Sequence, residues 1–379
     1  MSTASPAKDP HSVIRELVAP LRFRLAACIK RKGPMPWHEW MEAALYDEEA
    51  GYYTARERVR WGREGDYRTS PETSVLFGAT FGRYFARLYK ESKAPDKWTI
   101  LEVGAGAGDF ALAVFEICAR RFPEMFVRLH YFVDERSTDA RARIAERLRP
   151  YSERTHFDRL SEMQEIDSGV IFANELLDSF PAHRVTVERS RLRELYVDLN
   201  SEEEFCWTTG ELSTPRLEDY FRSRSITLPE GVTADVNLDL ESWLEQASKK
   251  LRSGYLILVD YGAETRELYN FPGRSEGTLR AFSCHRIANV LANPGQQDLT
   301  TTVDWDYVRE VAQALEFQVV KFQRQDRFLR DAGILDELEL RIAGASDEGE
   351  KALLRVGARE MALPGGMGEY FQVLVLRKV

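Results

Sequence analysis

The sequence predicts an α/β fold built on an open, mostly parallel sheet with an antiparallel edge strand, and three observations predict it. In the stretch from Thr99 to Leu112, apolar Ile100, Leu101 and Val103 suit a buried strand, and Phe110, Leu112, Ala113, Phe115 and Ile117 suit a helix resting on a sheet. Glycines at 104, 106 and 108 make the sharp turn between them. Further apolar runs at Phe126 to Val133, Ser168 to Ala173 and Tyr255 to Asp260 alternate with helical patterns, which is the rhythm of parallel βα steps. A late strand-like pair, Gln318 to Phe322 and Tyr370 to Leu376, supplies the antiparallel edge.

Taken in order, Ile14, Leu17, Val18, Leu21, Leu25, Cys28 and Ile29 recur at helical spacing, with Pro20 bending or dividing the segment. Gly33-Pro34 stops it, and Pro36 opens a second helix through Leu45, in which His38 reads as an ordinary packing residue. A tyrosine-rich loop, Gly51-Tyr52-Tyr53, leads into a polar stretch ending at Gly65-Asp66-Tyr67-Arg68-Thr69-Ser70-Pro71-Glu72. That stretch reads either as a lid or as a solvated connector. A helix from about Ser74 to Lys90 completes an N-terminal helical cap and lid, residues 1–95, ahead of a main domain at 96–379.

Within the main domain, Thr138 to Leu148 is helical. His183 to Glu188, Arg191 to Asp198 and Glu204 to Trp207 alternate like a β-meander, so about 183–236 reads as an insertion. Leu238 to Leu251 is a helix closed by Ser253-Gly254, and Asp304 to Leu315, Asp326 to Leu335 and Glu348 to Ala362 are helical. Between them runs a second glycine-rich loop, Gly262 to Asn293, carrying Gly277-Thr278-Leu279-Arg280 and His285.

The 52 basic residues against 61 acidic ones leave a net charge of −9, which disfavours nucleic acid and anionic membrane and makes a basic protein segment the more comfortable partner. No apolar run approaches the ~20 residues of a membrane span, and Met1 to Pro10 is too polar for a secretory signal. Cys28, Cys118, Cys206 and Cys284 form no C-x-x-C and the histidines are dispersed, so neither a disulfide framework nor a metal site is expected. The expectation is a soluble cytoplasmic enzyme.

The glycine spacing separates two kinds of cofactor loop. A dinucleotide fingerprint needs G-x-G-x-x-G, but Asp109 stands where the last glycine would fall. The chain has E-x-G-x-G-x-G instead, from Glu102 through Gly104 and Gly106 to Gly108, with a helix N-terminus behind it to face an anionic or polar ligand. Asp134 ends the second strand, where a carboxylate can accept hydrogen bonds from both hydroxyls of a ribose. It lies further from the loop than the usual ~20 residues, so Glu135 competes, and a helix N-cap is the structural alternative for Asp134. Another strand discharges into Asn174-Glu175-Leu176-Leu177-Asp178, polar groups at a carboxyl edge whose structural alternative is capping the next helix.

With these residues laid out, the chain resembles the MidA-like S-adenosylmethionine (SAM)-dependent methyltransferases, whose mitochondrial members are complex I assembly arginine methyltransferases. The resemblance spans most of the chain. It rests on Gly33-Pro34, Leu45-Tyr46, Gly51-Tyr52-Tyr53, Gly65-Asp66-Tyr67 with Thr69 to Glu72, Phe77-Gly78, the glycine loop, Ala173-Asn174-Glu175 with Asp178 and Pro181, Gly277 to Arg280, Pro294-Gly295, and Asp298-Leu299-Thr300. The match is weaker at Asp134 to Ser137 and through 198–236.

The resemblance implies a Rossmann-like class I methyltransferase sheet that binds SAM through Glu102, Gly104, Gly106, Gly108, Asp134, Asp66 and Asn174. It implies methyl transfer to an arginine nitrogen of a protein, with Glu175 first, Asp178 second and Asn174 shaping the site. A respiratory complex I subunit is one candidate partner, and a homodimer is compatible with the sequence. A catalytically silent scaffold factor and a small-molecule methyltransferase are the alternatives. No Asn-Pro-Pro-aromatic motif favours a nucleic-acid acceptor.

Overall fold

The computed structural model describes residues 20–55, 74–269, 273–283 and 286–379. The polar stretch containing Asp66, and His285, lie outside the described residues. The chain begins with α1 (Leu21–Lys32), which Gly33 ends at φ 91°, followed by β1 (Met35–Pro36) and α2 (Trp37–Tyr46). Next comes α3 (Val75–Glu91), capped by Ser74, whose Oγ accepts the Leu76 N–H at 3.2 Å.

The first βα step is β2 (Trp98–Val103), buried along its whole length, followed by α4 (Asp109–Arg121). Then follow β3 (Leu129–Asp134), α5 (Thr138–Arg147), β4 (Thr155–Phe157) and β5 (Gly169–Asn174). The third strand starts later than its apolar pattern suggests because Pro123–Phe126 winds into a helical turn.

The insertion forms β6 (His183–Glu188), β7 (Arg191–Leu199), β8 (Phe205–Gly210), α6 (Arg216–Ser223) and β9 (Thr233–Val236). After it come α7 (Asp239–Lys250) and the long core strand β10 (Gly254–Ala263). Three short strands, β11 (Arg280–Ser283), β12 (Arg286–Ile287) and β13 (Asp298–Thr300), make a separate sheet. The chain ends with β14 (Val303–Asp304), α8 (Trp305–Ala314), β15 (Gln318–Arg324), α9 (Gln325–Ala332), α10 (Ile334–Gly344), α11 (Glu348–Ala362) and β16 (Phe371–Lys378).

The central sheet runs in the order β15-β16-β10-β5-β2-β3-β4, with β14 paired to β10. Strands β10, β5, β2, β3 and β4 are mutually parallel, and β16 runs against both its neighbours. The reversed strand therefore sits one place in from the edge rather than at it. The burial follows that order: Val373 to Leu376 of β16 are fully buried, while the outermost strand β15 tolerates exposed Val319 and Val320.

Register brings Val103 beside Asp134 and Ala173, and Asn174 beside Val259, so the carboxyl ends of β2, β3 and β5 finish side by side while β10 runs on to Ala263. The chain leaves β2 for β3 on one side and later returns to β5 on the other. A crevice opens where the strand order reverses in this way.

One face of the sheet is covered by α3, α4 and the C-terminal helices, and the other by α7, α8 and the insertion. Helix α3 packs unusually close to α4, since a Cβ on Gly78 would lie 2.7 Å from the Ala113 Cβ and one on Gly82 2.5 Å from an Ile117 methyl. Its Phe81 and Phe85 also meet Phe110 and Phe172 edge-on. Thus α3, which the sequence reading grouped with the cap, shares the core of the main sheet. The insertion supplies four strands of a five-stranded antiparallel sheet, and β1 is the fifth, pairing Met35 with Val197. A third core gathers Leu21, Trp37 and Trp40 of the cap with Val197, Ala281 and Leu299.

Candidate functional site

Strand β2 ends in a loop that only glycine accommodates comfortably: Gly104, Gly106 and Gly108 have φ of 73°, 56° and 81°. A Cβ at Gly104 would come within 3.3 Å of Leu176, and one at Gly108 within 3.2 Å of Ile144. Gly108 directly precedes α4, so the free N–H groups of that helix face the loop. The helix end is fixed by Phe110, which stacks on Phe172 of β5 with centroids 4.2 Å apart.

Above the loop lies a cleft of about 510 Å³, lined by Glu102, Gly104, Gly106, Asp134, Glu135, Asn174 and Glu175. Tyr46 and Tyr53 of the N-terminal cap close its other side. The Tyr46 ring carries the Arg136 guanidinium 4.5 Å from its centroid and stacks against Tyr53.

Glu102 is buried and accepts the Tyr131 hydroxyl at 2.6 Å. Burial pushes its carboxyl up to about 8, so the carboxylate is costly here until a cation meets it. Asp134 and Glu135 both reach the cleft but are held differently. Asp134 accepts the Leu160 N–H at 2.8 Å and pairs with Arg159 at 3.3 Å, while burial raises its carboxyl. Glu135 accepts the Ser137 N–H at 2.9 Å. The cap of α5 is Ser137, whose Oγ accepts the Ala140 N–H, so Asp134 is not spent on the helix.

Asn174 closes β5, and Glu175 turns the chain at φ 52°, a conformation that costs a non-glycine residue about 1 kcal/mol. Its N–H donates to the Val259 carbonyl at 2.8 Å, and its Oε1 accepts the Asn174 Nδ2 at 2.8 Å. The Asn174 Oδ1 is buried with no partner among the described residues, which leaves an acceptor for a ligand N–H. The N–H groups of Leu176, Leu177 and Asp178 converge on Asp260 Oδ2 at 3.1, 2.9 and 3.3 Å. Asp260 thus does the work of holding the turn that the sequence alternative gave to Glu175 or Asp178.

A second pocket of about 380 Å³ adjoins the cleft, and Glu175 and Tyr53 line both. It holds Asp178, Tyr261 and Asp298, with the Tyr53 hydroxyl donating to Asp298 Oδ1 at 2.7 Å. Burial pushes Asp178 up to about 6 and lifts Asp260 well above the carboxylate range, helped by the charge of Asp178 beside it. The Tyr261 hydroxyl is raised by burial and by the charges of Asp178 and Asp260. Such a pocket stabilises an incoming cation. Among the described residues, no group of three or more His, Cys, Asp or Glu is arranged for a metal ion.

The structure therefore brings Glu102, the three glycines, Asp134, Asn174, Glu175 and Asp178 to one crevice. Tyr46, Tyr53 and Asp298 line it as well, with Asp260 bracing the turn behind it, and none of the four has a role in the sequence reading. For Asp260 the signal was available: it is an acid at the carboxyl end of a core strand, the same reasoning that singled out Asp134.

Residues 80–323 match the model of a family described as "Putative S-adenosyl-L-methionine-dependent methyltransferase". The chain is 25% identical to the mitochondrial protein arginine methyltransferase NDUFAF7 homolog of Drosophila melanogaster, over 94% of this chain and 84% of that protein. It is 24% identical to the mitochondrial protein arginine methyltransferase NDUFAF7 of Homo sapiens, over 98% and 85%. A crystal structure from Burkholderia thailandensis bound to S-adenosyl-homocysteine superimposes with a TM-score of 0.84 at 25% identity, covering 99% of this chain and 95% of that one.

The expected cytoplasmic location does not stand, because these relatives, and that of Caenorhabditis elegans, are mitochondrial. The free thiols of Cys28, Cys118 and Cys206 do not distinguish one reducing compartment from another. Among the described residues no helix is long and apolar enough to cross a membrane.

Proposed function

The chain belongs to the family of S-adenosyl-L-methionine-dependent methyltransferases whose model it matches over residues 80–323, and on that premise we propose that it methylates an arginine nitrogen in a protein substrate. The observation that carries this reading is the position of Glu175, on the wall shared by the glycine-loop cleft and the acidic pocket. The names of the fly and human relatives support it.

In this reading SAM lies on the Gly104 to Gly108 loop, with its cationic methionine end toward Glu102 and Asn174 and its ribose toward Asp134 or Glu135. The left-handed glycines leave room for a ligand against the backbone, and the unpartnered Asn174 oxygen takes an N–H. When bound, SAM supplies a sulfonium methyl, whose C–S bond breaks as a C–N bond forms. A guanidinium is charged and a poor nucleophile, so the task of the chain is to hold it in line and take its proton. Glu175 accepts an acceptor N–H and receives the proton released, while Asp178 and Asp298 hold the rest of the guanidinium. Asp66 stays in the proposal as a cofactor contact from the stretch outside the described residues. The division into a cap and lid at 1–95 and a methyltransferase domain at 96–379 with an insertion at about 183–236 belongs to the same reading.

Two measurements test it. Calorimetry is expected to show SAM binding to the full chain, and labelled SAM added with the enzyme to a mitochondrial lysate is expected to place methyl groups on arginine, read by mass spectrometry. SAM binding with no methylated protein would favour a silent scaffold factor. In the same titration, alanine at whichever of Asp134 and Glu135 holds the ribose weakens SAM about tenfold or more. Equal affinity in both variants would remove both from the ribose.

Glu102 makes the binding pH-dependent. Between the ordinary carboxyl range and about 8, the folded protein keeps a proton on Glu102 that the unfolded chain has lost. The contribution of this group to stability therefore falls as pH rises through that window. A cationic ligand draws the pKa back down, so SAM affinity is expected to rise from about pH 6 to about pH 8 with net proton release. Calorimetry in buffers of different ionisation enthalpy checks this. A proton count of zero, or one unchanged in Glu102→Gln, would separate Glu102 from the cofactor.

A further inference from the structure

The acidic pocket has a second charge character that gripping a guanidinium does not require: Arg274 and Arg280 line it alongside Glu175, Asp178 and Asp298. Neither guanidinium has a hydrogen-bond or ion-pair partner among the described residues, and Arg280 is exposed while Arg274 is half-buried. Two cations without a side-chain partner among the described residues, on the wall of a pocket built for a cation, oppose the entry of a bare positive group. They help only if the ligand brings a negative charge with it.

Both arginines are carried on braced backbone. Thr233 of β9 donates its N–H to the Ser275 carbonyl at 2.8 Å, and Arg184 of β6 donates to the Glu276 carbonyl at 2.6 Å. Asp235, itself paired with Arg184 at 2.8 Å, accepts the N–H groups of Thr278 at 2.5 Å and Leu279 at 3.0 Å. Gly277 at φ 77° lies so close to Asp235 that a Cβ would approach its Oδ2 to 2.5 Å. Strand register then orients Arg280. It pairs across with Thr300 and Phe282 with Asp298, so these four share a face, while Ala281 and Leu299 turn the other way into the core of the cap. The face that presents the acceptor-binding Asp298 thus also presents Arg280.

We propose that the acceptor arginine is recognised within a peptide segment that carries an acidic side chain beside it. The guanidinium goes to Glu175, Asp178 and Asp298, and the neighbouring carboxylate to Arg274 and Arg280. The inference rests on reading this pocket as the acceptor site, and it names a charge pattern that reading leaves open.

The test uses the full-length enzyme, SAM, and short synthetic peptides with one central arginine and Asp, Asn or Lys at each neighbouring position in turn. At one or more positions Asp is expected to raise kcat/KM over Lys by about tenfold or more, a preference that shrinks with added salt. The Arg274→Glu, Arg280→Glu double variant is expected to reverse the order, favouring Lys. Calorimetric SAM affinity in that variant reports whether the cofactor cleft is intact. Equal kcat/KM for Asp, Asn and Lys peptides would overturn this inference while leaving arginine methylation in place. Free L-arginine methylated more efficiently than every peptide would also overturn it. Normal SAM binding with no arginine peptide methylated would overturn the parent reading and this one together.

Discussion

Glu175→Gln is expected to lower turnover at saturation by about 10²- to 10³-fold while leaving SAM affinity nearly unchanged. Gln keeps the shape of the side chain and its bond with Asn174, but it loses the charge that faces an acceptor across from the glycine loop. In the proposed reading the proton released by the guanidinium then loses the carboxylate placed to receive it. Because the lost interaction strengthens as the methyl moves, the loss falls on kcat more than on KM. A loss confined to KM would mean that Glu175 binds ground state and transition state alike. Wild-type turnover with a lowered Tm would make Glu175 a structural residue of the turn at φ 52°. Calorimetry with SAM, methyl incorporation and a thermal melt on the same preparation distinguish these results. Strain at a non-glycine residue is tolerated where its side chain is needed, so Glu175→Gly is expected to fold normally and be equally inactive.

Gly106→Val is expected to weaken SAM binding more than about a hundredfold, beyond easy detection by calorimetry. At φ 56° a β-branched residue is forced into a region it avoids, and its methyls project where a ligand meets the backbone. The cost in fold stability is smaller, about 1–2 kcal/mol, because the loop lies at the surface of the cleft and not in the core. A folded variant that binds SAM normally would move the cofactor away from this loop.

Much of the fold was legible because its long elements carry strong periodicity: β2, α4, β5, β10 and α11 follow directly from their apolar patterns. The crevice was legible for a related reason. Glycines and acids stand where strands end, and strand ends in a parallel sheet face one side. The short strands β11 to β13 escaped because two to four residues among Gly, Pro and Asn carry no measurable period. Helix α10 escaped because the apolar pattern runs as one helix from Asp326 to Leu335, whereas Gly333 within it bends the chain at φ 95° into a second helix. Tyr53 and Asp298 meet only through tertiary structure, 245 positions apart. No local signal links them. The place of β16 within the sheet is likewise a matter of topology, since an apolar strand reads the same beside an edge as on it.

The pairing of β1 with β7, and the burial of Trp37 and Trp40 against Val197 and Leu299, set an order of events during synthesis. The cap emerges from the ribosome ahead of these partners, which follow more than a hundred residues later. At about 5–20 residues per second, its two tryptophans stay uncovered for on the order of ten seconds or more. Throughout that interval the apolar faces of these two segments lack the surface that buries them in the folded chain. Docking of the cap therefore waits until those partners have been made. Because Tyr46 and Tyr53 ride on it, the cleft is completed only then.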